Sequence, residues 1–138
     1  MAVTLKDFMT MDDVLTIEPG VTLSEAARSM RGRNVGAAVV VDEGRVAGIF
    51  TERDLLRAIA DGRPPDEALV REHMTRDPVT LPSDHSPTEA AVIMAERRFR
   101  HIPVVDDGVL VGIVSIRDLV SVDLHIRPAD AHVGSDFP

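Results

Sequence analysis

One feature limits the fold of this chain more than any other: the same unit occurs twice. Between residues 16 and 55, a shift of 64 positions aligns 15 identical residues out of 40 without a gap. Ordinary composition would give roughly 2 or 3 identities by chance. A fixed internal period indicates structural units that pack against one another. The 138 residues are therefore predicted to form two small units sharing a core, not a large multidomain enzyme.

Each copy predicts the same order of elements. An S/T-x-x-E capping box at residues 22–25 and 86–89 starts a helix, because the hydroxyl accepts the N3 amide and the Glu carboxylate reaches back to the cap amide. A β-branched run follows, then an acidic turn that ends in Gly44 or Gly108, where glycine supplies a positive φ. A returning strand and a second helix complete the copy. Gly48 and Gly112 in the returning strands indicate a close approach of another backbone or a ligand.

Together with a short strand near residues 14–17 or 79–81, this order predicts an α/β (α+β) fold. Two tandem β-α-β-β-α repeats, each with a sheet of about three strands, are expected to pack around a pseudo-twofold axis. The predicted boundaries are residues 1–62 for the first repeat, 63–72 for a linker, 73–123 for the second repeat and 124–138 for a flexible tail.

Composition excludes several classes of function. The net charge of −8 argues against a phosphate-tracking surface for nucleic acid, and four Phe without Trp or Tyr leave few platforms for base stacking. The absence of Cys excludes disulfides, thiolate nucleophiles and Cys-ligated metals. No apolar run approaches the roughly 20 residues of a membrane helix, and no secretory signal is visible. We expect a cytoplasmic protein with neither nucleic-acid nor membrane partners.

The segments with the clearest chemistry run from Gly48 to Asp54 and from Gly112 to Asp118. In each, a strand ends at a hydroxyl residue, a helix begins, and a carboxylate follows three positions later. This pattern is a common helix cap. It also suits a ligand, because a helix N-terminus presents amides to an anion and a carboxylate can accept the paired hydroxyls of a ribose. The residues alone leave both interpretations open.

The doubled pattern G-h-h-[ST]-x-R-D-L, after an acidic-Gly hairpin and a [ST]-h-x-E-A-A helix, resembles the CBS domain, named for cystathionine beta-synthase. Two copies in one chain resemble a CBS pair, or Bateman module. The resemblance covers residues 5–122 and includes the segments at residues 8–10 and 100–106. It implies a regulatory, non-catalytic module that binds AMP, ADP, ATP, S-adenosylmethionine or NAD as a sensor of energy or metabolites. A homodimer stacked through its helices and an unknown protein effector are also implied.

The resemblance further implies a ligand cleft in which Asp54 and Asp118 hold ribose hydroxyls, assisted by Thr51 and Ser115. The family's cleft combines the Asp of one repeat with the first-strand Thr and second-strand entrance of the other. The positions that match are Thr16, Gly36, Ala37, Ala38, Thr51, Arg53, Asp54, Thr80, Arg100, His101, Ile102, Pro103, Ser115, Arg117 and Asp118. Asp118 is thus paired with Thr16 and residues 36–38, and Asp54 with Thr80 and residues 101–103.

The two clefts are expected to differ in affinity. Arg100 is the strongest phosphate candidate, because a guanidinium binds phosphate in a bidentate manner, whereas the first repeat has Gly36 at that position. His101 lies beside Arg100, and the first repeat has Ala37 there. The histidines show no metal-binding spacing, and no P-loop, G-x-G-x-x-G or nucleophile elbow occurs. Hydrolase activity is therefore not predicted, although the chain contains Ser, His and Asp residues from which a catalytic triad could be assembled.

One alternative of a different class stays open. The chain would then be a ligand-free interaction or scaffold protein in which Asp54 and Asp118 are only helix caps.

Overall fold

The computed structural model describes residues 3–9 and 14–122. These residues form two compact units, each with its own hydrophobic core: residues 14–78 make the first unit, and residues 3–9 with 79–122 make the second. The sequence expectations for Thr10 and for the tail at 124–138 lie outside the described residues.

The first unit contains a sheet with two helices. Its helices and strands are, in chain order, β1 (Thr16–Ile17), α1 (Leu23–Arg33), β2 (Ala37–Asp42), β3 (Arg45–Thr51), α2 (Glu52–Ala60) and β4 (Thr75–Arg76). The sheet order is β1-β2-β3-β4, with β1 parallel to β2 and the other pairs antiparallel. The sequence predicted about three strands. The fourth arises because residues 75–76 pair with Gly48 and Ile49 of β3.

The prediction of a close approach at Gly48 is confirmed. A methyl group added to Gly48 would lie 2.6 Å from Sδ of Met74 and 2.7 Å from the carbonyl oxygen of Thr75. Real Cβ atoms do not approach other atoms this closely, so only glycine allows β4 to lie in this position.

Residues 63–72, predicted as a linker, contribute to the first unit. Ala68 and Val70 are buried in its core. The amide of Leu23 donates to the carbonyl of Ala68, and the amide of Val70 donates to the carbonyl of Val21, both at about 3 Å. A 3₁₀ turn at Val70–Glu72 completes this segment. The backbone hydrogen bonds hold it against the start of α1.

The second unit repeats the helices and the hairpin of the first. It contains α3 (Pro87–Arg97), β5 (His101–Asp106), β6 (Val109–Ser115) and α4 (Ile116–Val122), with a 3₁₀ turn at Leu5–Asp7. β5 and β6 form an antiparallel pair, and Leu81 makes an isolated parallel bridge to Val104 where a first strand was predicted. Leu5, although early in the chain, is fully buried in this unit's core.

Both hairpins follow the predicted turn chemistry. Glu43 and Gly44 have φ of 50° and 79°, and Asp107 and Gly108 have φ of 52° and 81°. Two consecutive positive φ values define a turn whose twist matches that of the flanking strands. A register shift also occurs at equivalent places, between residues 40 and 41 and between 104 and 105. The sequence repeat is therefore a repeat of backbone geometry.

The first helices of the two copies are capped only in part as predicted. Thr22 and Ser86 accept the amides of Glu25 and Glu89, at 3.1 and 3.4 Å. The return bond from carboxylate to cap amide was predicted, and this detail is wrong. The hydroxyl of Thr22 donates to Glu25 instead, and Oε2 of Glu89 lies 3.0 Å from Nε2 of His85, one turn earlier in the chain.

Candidate functional site

In the first unit the candidate site lies where β3 passes into α2. Thr51 ends the strand in an extended conformation and caps the helix. Its amide and its hydroxyl both donate to Oδ2 of Asp54, at 2.9 and 3.1 Å, and its Oγ1 lies 3.2 Å from the amide of Asp54. The predicted helix cap is thus present as a reciprocal capping box, which fixes the Asp54 carboxylate at the start of the helix.

The entrance of β2 lies beside this cap. Ala37 is opposite Thr51 in the antiparallel register, and the amide of Glu52 donates to the carbonyl of Gly36 at 3.0 Å. Ala37 and Ala38 are buried. Of residues 36–38, only Gly36 is therefore partly accessible beside the cap.

The second unit has the same arrangement with different side chains. Ser115 is opposite His101, and its amide donates to Oδ2 of Asp118 at 2.9 Å. The amide of Asp118 donates to Oγ of Ser115 at 3.0 Å. The amide of Ile116 donates to the carbonyl of Arg100 at 2.8 Å, as Glu52 does to Gly36. Arg100 and His101 therefore lie beside this cap within one unit.

The Asp54 carboxyl combines burial with hydrogen bonding. Burial raises the pKa of Asp54 above its ordinary value, and the hydrogen bonds from Thr51 and the charges of Arg57 and Arg53 counteract this effect only in part. A carboxylate has two oxygens and about four lone-pair directions, and the cap bonds described above use Oδ2. The group can therefore serve the cap and accept further hydrogen bonds through Oδ1.

His101 is neutral at physiological pH. Burial and the adjacent Arg100 lower the pKa of His101 to about 4, although Asp118 opposes the shift. A neutral imidazole offers one donor and one acceptor, but no positive charge. In this unit the charge that a phosphate would need must come from arginine, not from His101.

The other predicted site residues occupy three kinds of position. Thr16 on β1 and Thr80, which precedes the Leu81 bridge, are exposed. Ala38 and Ile102 pack into the cores of their units and are fully buried. Pro103 is buried, Arg117 is exposed and Arg53 is partly buried. Within each unit the structure brings together the strand entrance, the hydroxyl and the Asp. The predicted pairing across the two repeats stays a prediction.

Sequence reasoning overlooked Glu52. Its carboxylate lies against Gly36, so that a methyl group added to Gly36 would be 3.1 Å from Oε1 and 3.3 Å from Cδ of Glu52. The available signal was the comparison of the copies, because the residue after the cap is Glu52 in one and Ile116 in the other.

Two negative findings apply to the part of the chain that the structure describes. Residues 3–9 and 14–122 contain no cluster of three His, Asp or Glu side chains that could hold a metal ion. None of the helices within these ranges has the length and apolar character needed to span a bilayer.

Comparison with known proteins agrees with the fold and with the internal repeat. The family model of the CBS domain matches residues 5–61 and 70–125. A 17.7 kDa protein of Acidianus ambivalens is 43% identical over 130 residues, which cover 88% of this chain and 78% of that protein. A protein of Methanopyrus kandleri is 37% identical over 117 residues, 83% of this chain and 60% of its own length.

The solved CBS domain pair of protein MJ0100, in complex with 5′-methylthioadenosine and S-adenosyl-L-methionine, superposes with a TM-score of 0.81. It is 28% identical in sequence, and the match covers 88% of this chain and 96% of that one. A mixed α+β fold and a match of the family model to both repeats define the class. The chain belongs to the CBS domain family and contains a CBS pair.

Proposed function

We propose that this chain is a regulatory module that binds adenosyl ligands and acts as a sensor of energy state or of a metabolite. The observation that carries the proposal is the repeated constellation of a strand entrance, a hydroxyl cap and a fixed carboxylate. A CBS pair of similar fold binds 5′-methylthioadenosine and S-adenosylmethionine, which supports an adenosine-type ligand here. The candidates are AMP, ADP, ATP, S-adenosylmethionine and NAD. The proposal assigns binding and no catalysis.

Asp54 and Asp118 are proposed to accept the two ribose hydroxyls. A carboxylate is suited to a vicinal diol because its two oxygens can accept from both hydroxyl groups. Thr51 and Ser115 orient the carboxylates through the cap bonds and lie beside the same ligand. The remaining predicted residues, Thr16, Thr80 and the backbones at 36–38 and 101–103, are proposed to line the adenosyl ligand.

Arg100 is proposed to bind phosphate in the second unit. Its carbonyl is held by the amide of Ile116, which places the residue beside the Ser115 cap. The neutral state of His101 leaves Arg100 as the charged partner, with His101 as a hydrogen-bonding neighbour. The cleft that contains Arg100 is therefore proposed to prefer ATP, ADP or AMP, and the predicted pairing across the repeats assigns this cleft to Asp54.

A homodimer that contacts through α2 is proposed to carry the signal. This helix begins at the Thr51 cap and exposes two large apolar side chains, Leu56 at 68% and Ile59 at 51% of their surface. The two lie three residues apart and therefore share one helix face. A ligand at the cap would shift the position of α2 and so bias the dimer that an unidentified protein effector recognises. The net charge of −8 supports neither nucleic-acid nor anionic membrane partners, and we propose a cytoplasmic location.

A scaffold function without ligand is the second candidate, and the capping boxes are the observation that favours it. Both carboxylates already satisfy helix amides, so each has a structural role that needs no ligand. The two candidates differ in whether the Asp side chains contribute to binding as well as to stability.

Native mass spectrometry tests the proposal directly. The intact chain is sprayed alone and with an equimolar mixture of the five candidate ligands, so that assembly and ligand mass are read together. A dimer that selects one ligand supports the sensor proposal and identifies the compound. A folded protein that retains none of the five would instead support the scaffold function.

A further inference from the structure

Residues 3–9 precede the first repeat in the chain but pack in the second unit, and we call them the strap. Leu5 is fully buried in the core of that unit. The amides of Leu5 and Lys6 donate to the carbonyls of His85 and Ser83, both at 3.0 Å. The strap is thus held by one buried side chain and by the loop that carries those two carbonyls.

The segment at residues 65–76 contains the equivalent residues in the first unit, and we call it the counterpart segment. The amides of Val70 and Arg71 donate to the carbonyls of Val21 and Pro19, at 2.9 and 3.0 Å. Val70 is fully buried, as Leu5 is in the second unit. The strap and the counterpart segment are therefore the same structural element, used once in each unit.

The two equivalent segments differ in how firmly they are held. In the counterpart segment, the carbonyl of Ala68 accepts from the amide of Leu23 at 3.0 Å. Asp66 accepts from the Ser24 hydroxyl at 2.5 Å, and β4 pairs with β3. In the part of the chain that the structure describes, only the two backbone bonds given above join the strap to its unit. A segment with fewer hydrogen bonds opens locally at a lower free energy, so we expect the strap to open before the counterpart segment.

The loop that holds the strap also continues from residues proposed to line the ligand. It follows Thr80 and Leu81, and the amide of Leu81 donates to the carbonyl of Pro103 at 3.2 Å. In the same loop, Ser83 donates to Asp106 at the end of β5 through its amide and its hydroxyl, at 2.9 and 2.6 Å. Because Ser83 also accepts from the strap, release of the strap would remove one support of the segment next to Thr80.

From these contacts we propose that the strap is a releasable conformational device that regulates the proposed ligand site of the second unit. When seated, it holds the loop after Leu81 in place, and when released, it loosens the contact between Leu81 and Pro103. This inference rests on the proposed function, because it concerns regulation of a site proposed there. By linkage, a ligand that contacts this segment stabilises the seated strap, and a change that releases the strap weakens ligand binding.

Amide hydrogen exchange of the ¹⁵N-labelled full chain measures the opening of both segments. The amides of Leu5 and Lys6 report the strap, and those of Val70 and Arg71 report the counterpart segment. After correction for intrinsic rates, we expect the strap amides to exchange about 30-fold faster, which corresponds to two further hydrogen bonds in the counterpart segment. Equal protection of the two pairs would refute the proposal that the strap is releasable.

Leu5→Val tests the link between the strap and the ligand site without any ligand. Val70 shows that valine fits the equivalent position, so the variant should fold. Loss of one buried methylene should increase the opening of the strap by roughly tenfold. The exchange of the Leu81 amide, which is bonded to Pro103, should become faster as well. A faster strap with an unchanged Leu81 amide would refute the link.

Two controls accompany this variant. Val3→Ala changes a residue of the same segment that is 54% exposed, so it should alter neither the strap amides nor the Leu81 amide. The amide of Val39, which donates to the carbonyl of Leu15 in the first unit, should exchange equally in the wild type and both variants. A general loss of stability would instead accelerate this amide too and would contradict a local effect.

AMP is the probe for the regulatory part of the proposal. At ten times its dissociation constant, AMP should slow the exchange of the Leu5 and Lys6 amides about tenfold if it binds only while the strap is seated. If AMP shifts the resonances around Thr80 but leaves the exchange of the strap unchanged, the regulatory role is wrong and the ligand-binding proposal stands. If AMP shifts no resonance, the proposed function fails for AMP, and the Leu5→Val comparison alone decides whether the strap supports the Leu81 contact.

Discussion

Burial of His101 makes the stability of the protein depend on pH. Its pKa is lowered to about 4 in the folded chain by burial and by Arg100, against an ordinary value of 6.5. The folded state therefore prefers the neutral imidazole. As the pH falls below about 6.5, His101 binds a proton in the unfolded chain but not in the folded chain, so the free energy of unfolding decreases. The stabilisation is complete above pH 7 and is lost as the pH falls towards 4.

The size of the loss follows from the two pKa values. Linkage between pKa values of 6.5 and about 4 gives a decrease of about 2.5 kcal/mol in the free energy of unfolding between pH 7.5 and pH 4.5. Asp106 has a pKa lowered by its hydrogen bonds from Ser83. Its contribution is lost only as the pH falls below its ordinary value of 3.8, which lies outside this interval.

Urea unfolding followed by far-ultraviolet circular dichroism at pH 7.5 and 4.5 measures this loss. His101→Gln keeps a polar side chain that cannot be protonated, so it should lose about 2.5 kcal/mol less than the wild type over the same interval. His85→Gln, a histidine variant in the same unit, should retain the loss due to His101. If His101→Gln and wild type lose equal amounts, His101 is not held neutral by the fold and the reasoning is refuted.

Three further results are expected. Asp54→Asn should weaken adenosyl-ligand binding at this site about 100-fold, because charge-assisted hydrogen bonds are lost, but change the free energy of unfolding by only about 1 kcal/mol. Calorimetry measures the binding and urea unfolding measures the stability. Unchanged binding would favour the scaffold function. Gly48→Ala should cost about 2 kcal/mol in urea unfolding because its Cβ would meet Met74, and an unaffected midpoint would show that β4 can move. Leu56→Glu should halve the molar mass of the protein measured by light scattering, because it disrupts the proposed dimer. Val109→Glu, which changes another exposed apolar residue, should leave the mass unchanged. A Leu56→Glu variant that is still a dimer would exclude the contact through α2.

The helices and strands were predicted well because the repeat provides two independent sequence patterns for each of them. The hairpin turns at Gly44 and Gly108 and the hydroxyl caps depend on local backbone chemistry, which neighbouring residues determine. Long-range pairing was harder to predict. The strand at Thr75–Arg76 and the burial of Ala68 depend on where the segment between the repeats packs against the first unit. No local sequence pattern indicates this position.

The sequence indicated which residues lie at the candidate site, but not which charged groups surround them. The motif located Asp54 and Asp118, and the structure confirmed that each caps a helix. The number of helix amides left for a ligand could not be predicted from the sequence, because the amide of Glu52 donates to the carbonyl of Gly36, which immediately precedes β2. The position of the Glu52 carboxylate over Gly36 likewise depends on the pairing of β2 with β3.

The comparison of the two copies therefore separates the determinants of fold from those of ligand choice. The residues that the copies share, such as the acidic turns and the capped Asp, are those that the backbone geometry requires. At two neighbouring positions the copies differ in charge: Gly36 and Glu52 in one unit correspond to Arg100 and Ile116 in the other. Because the backbone bond between these positions is the same in both units, the fold does not require these particular charges.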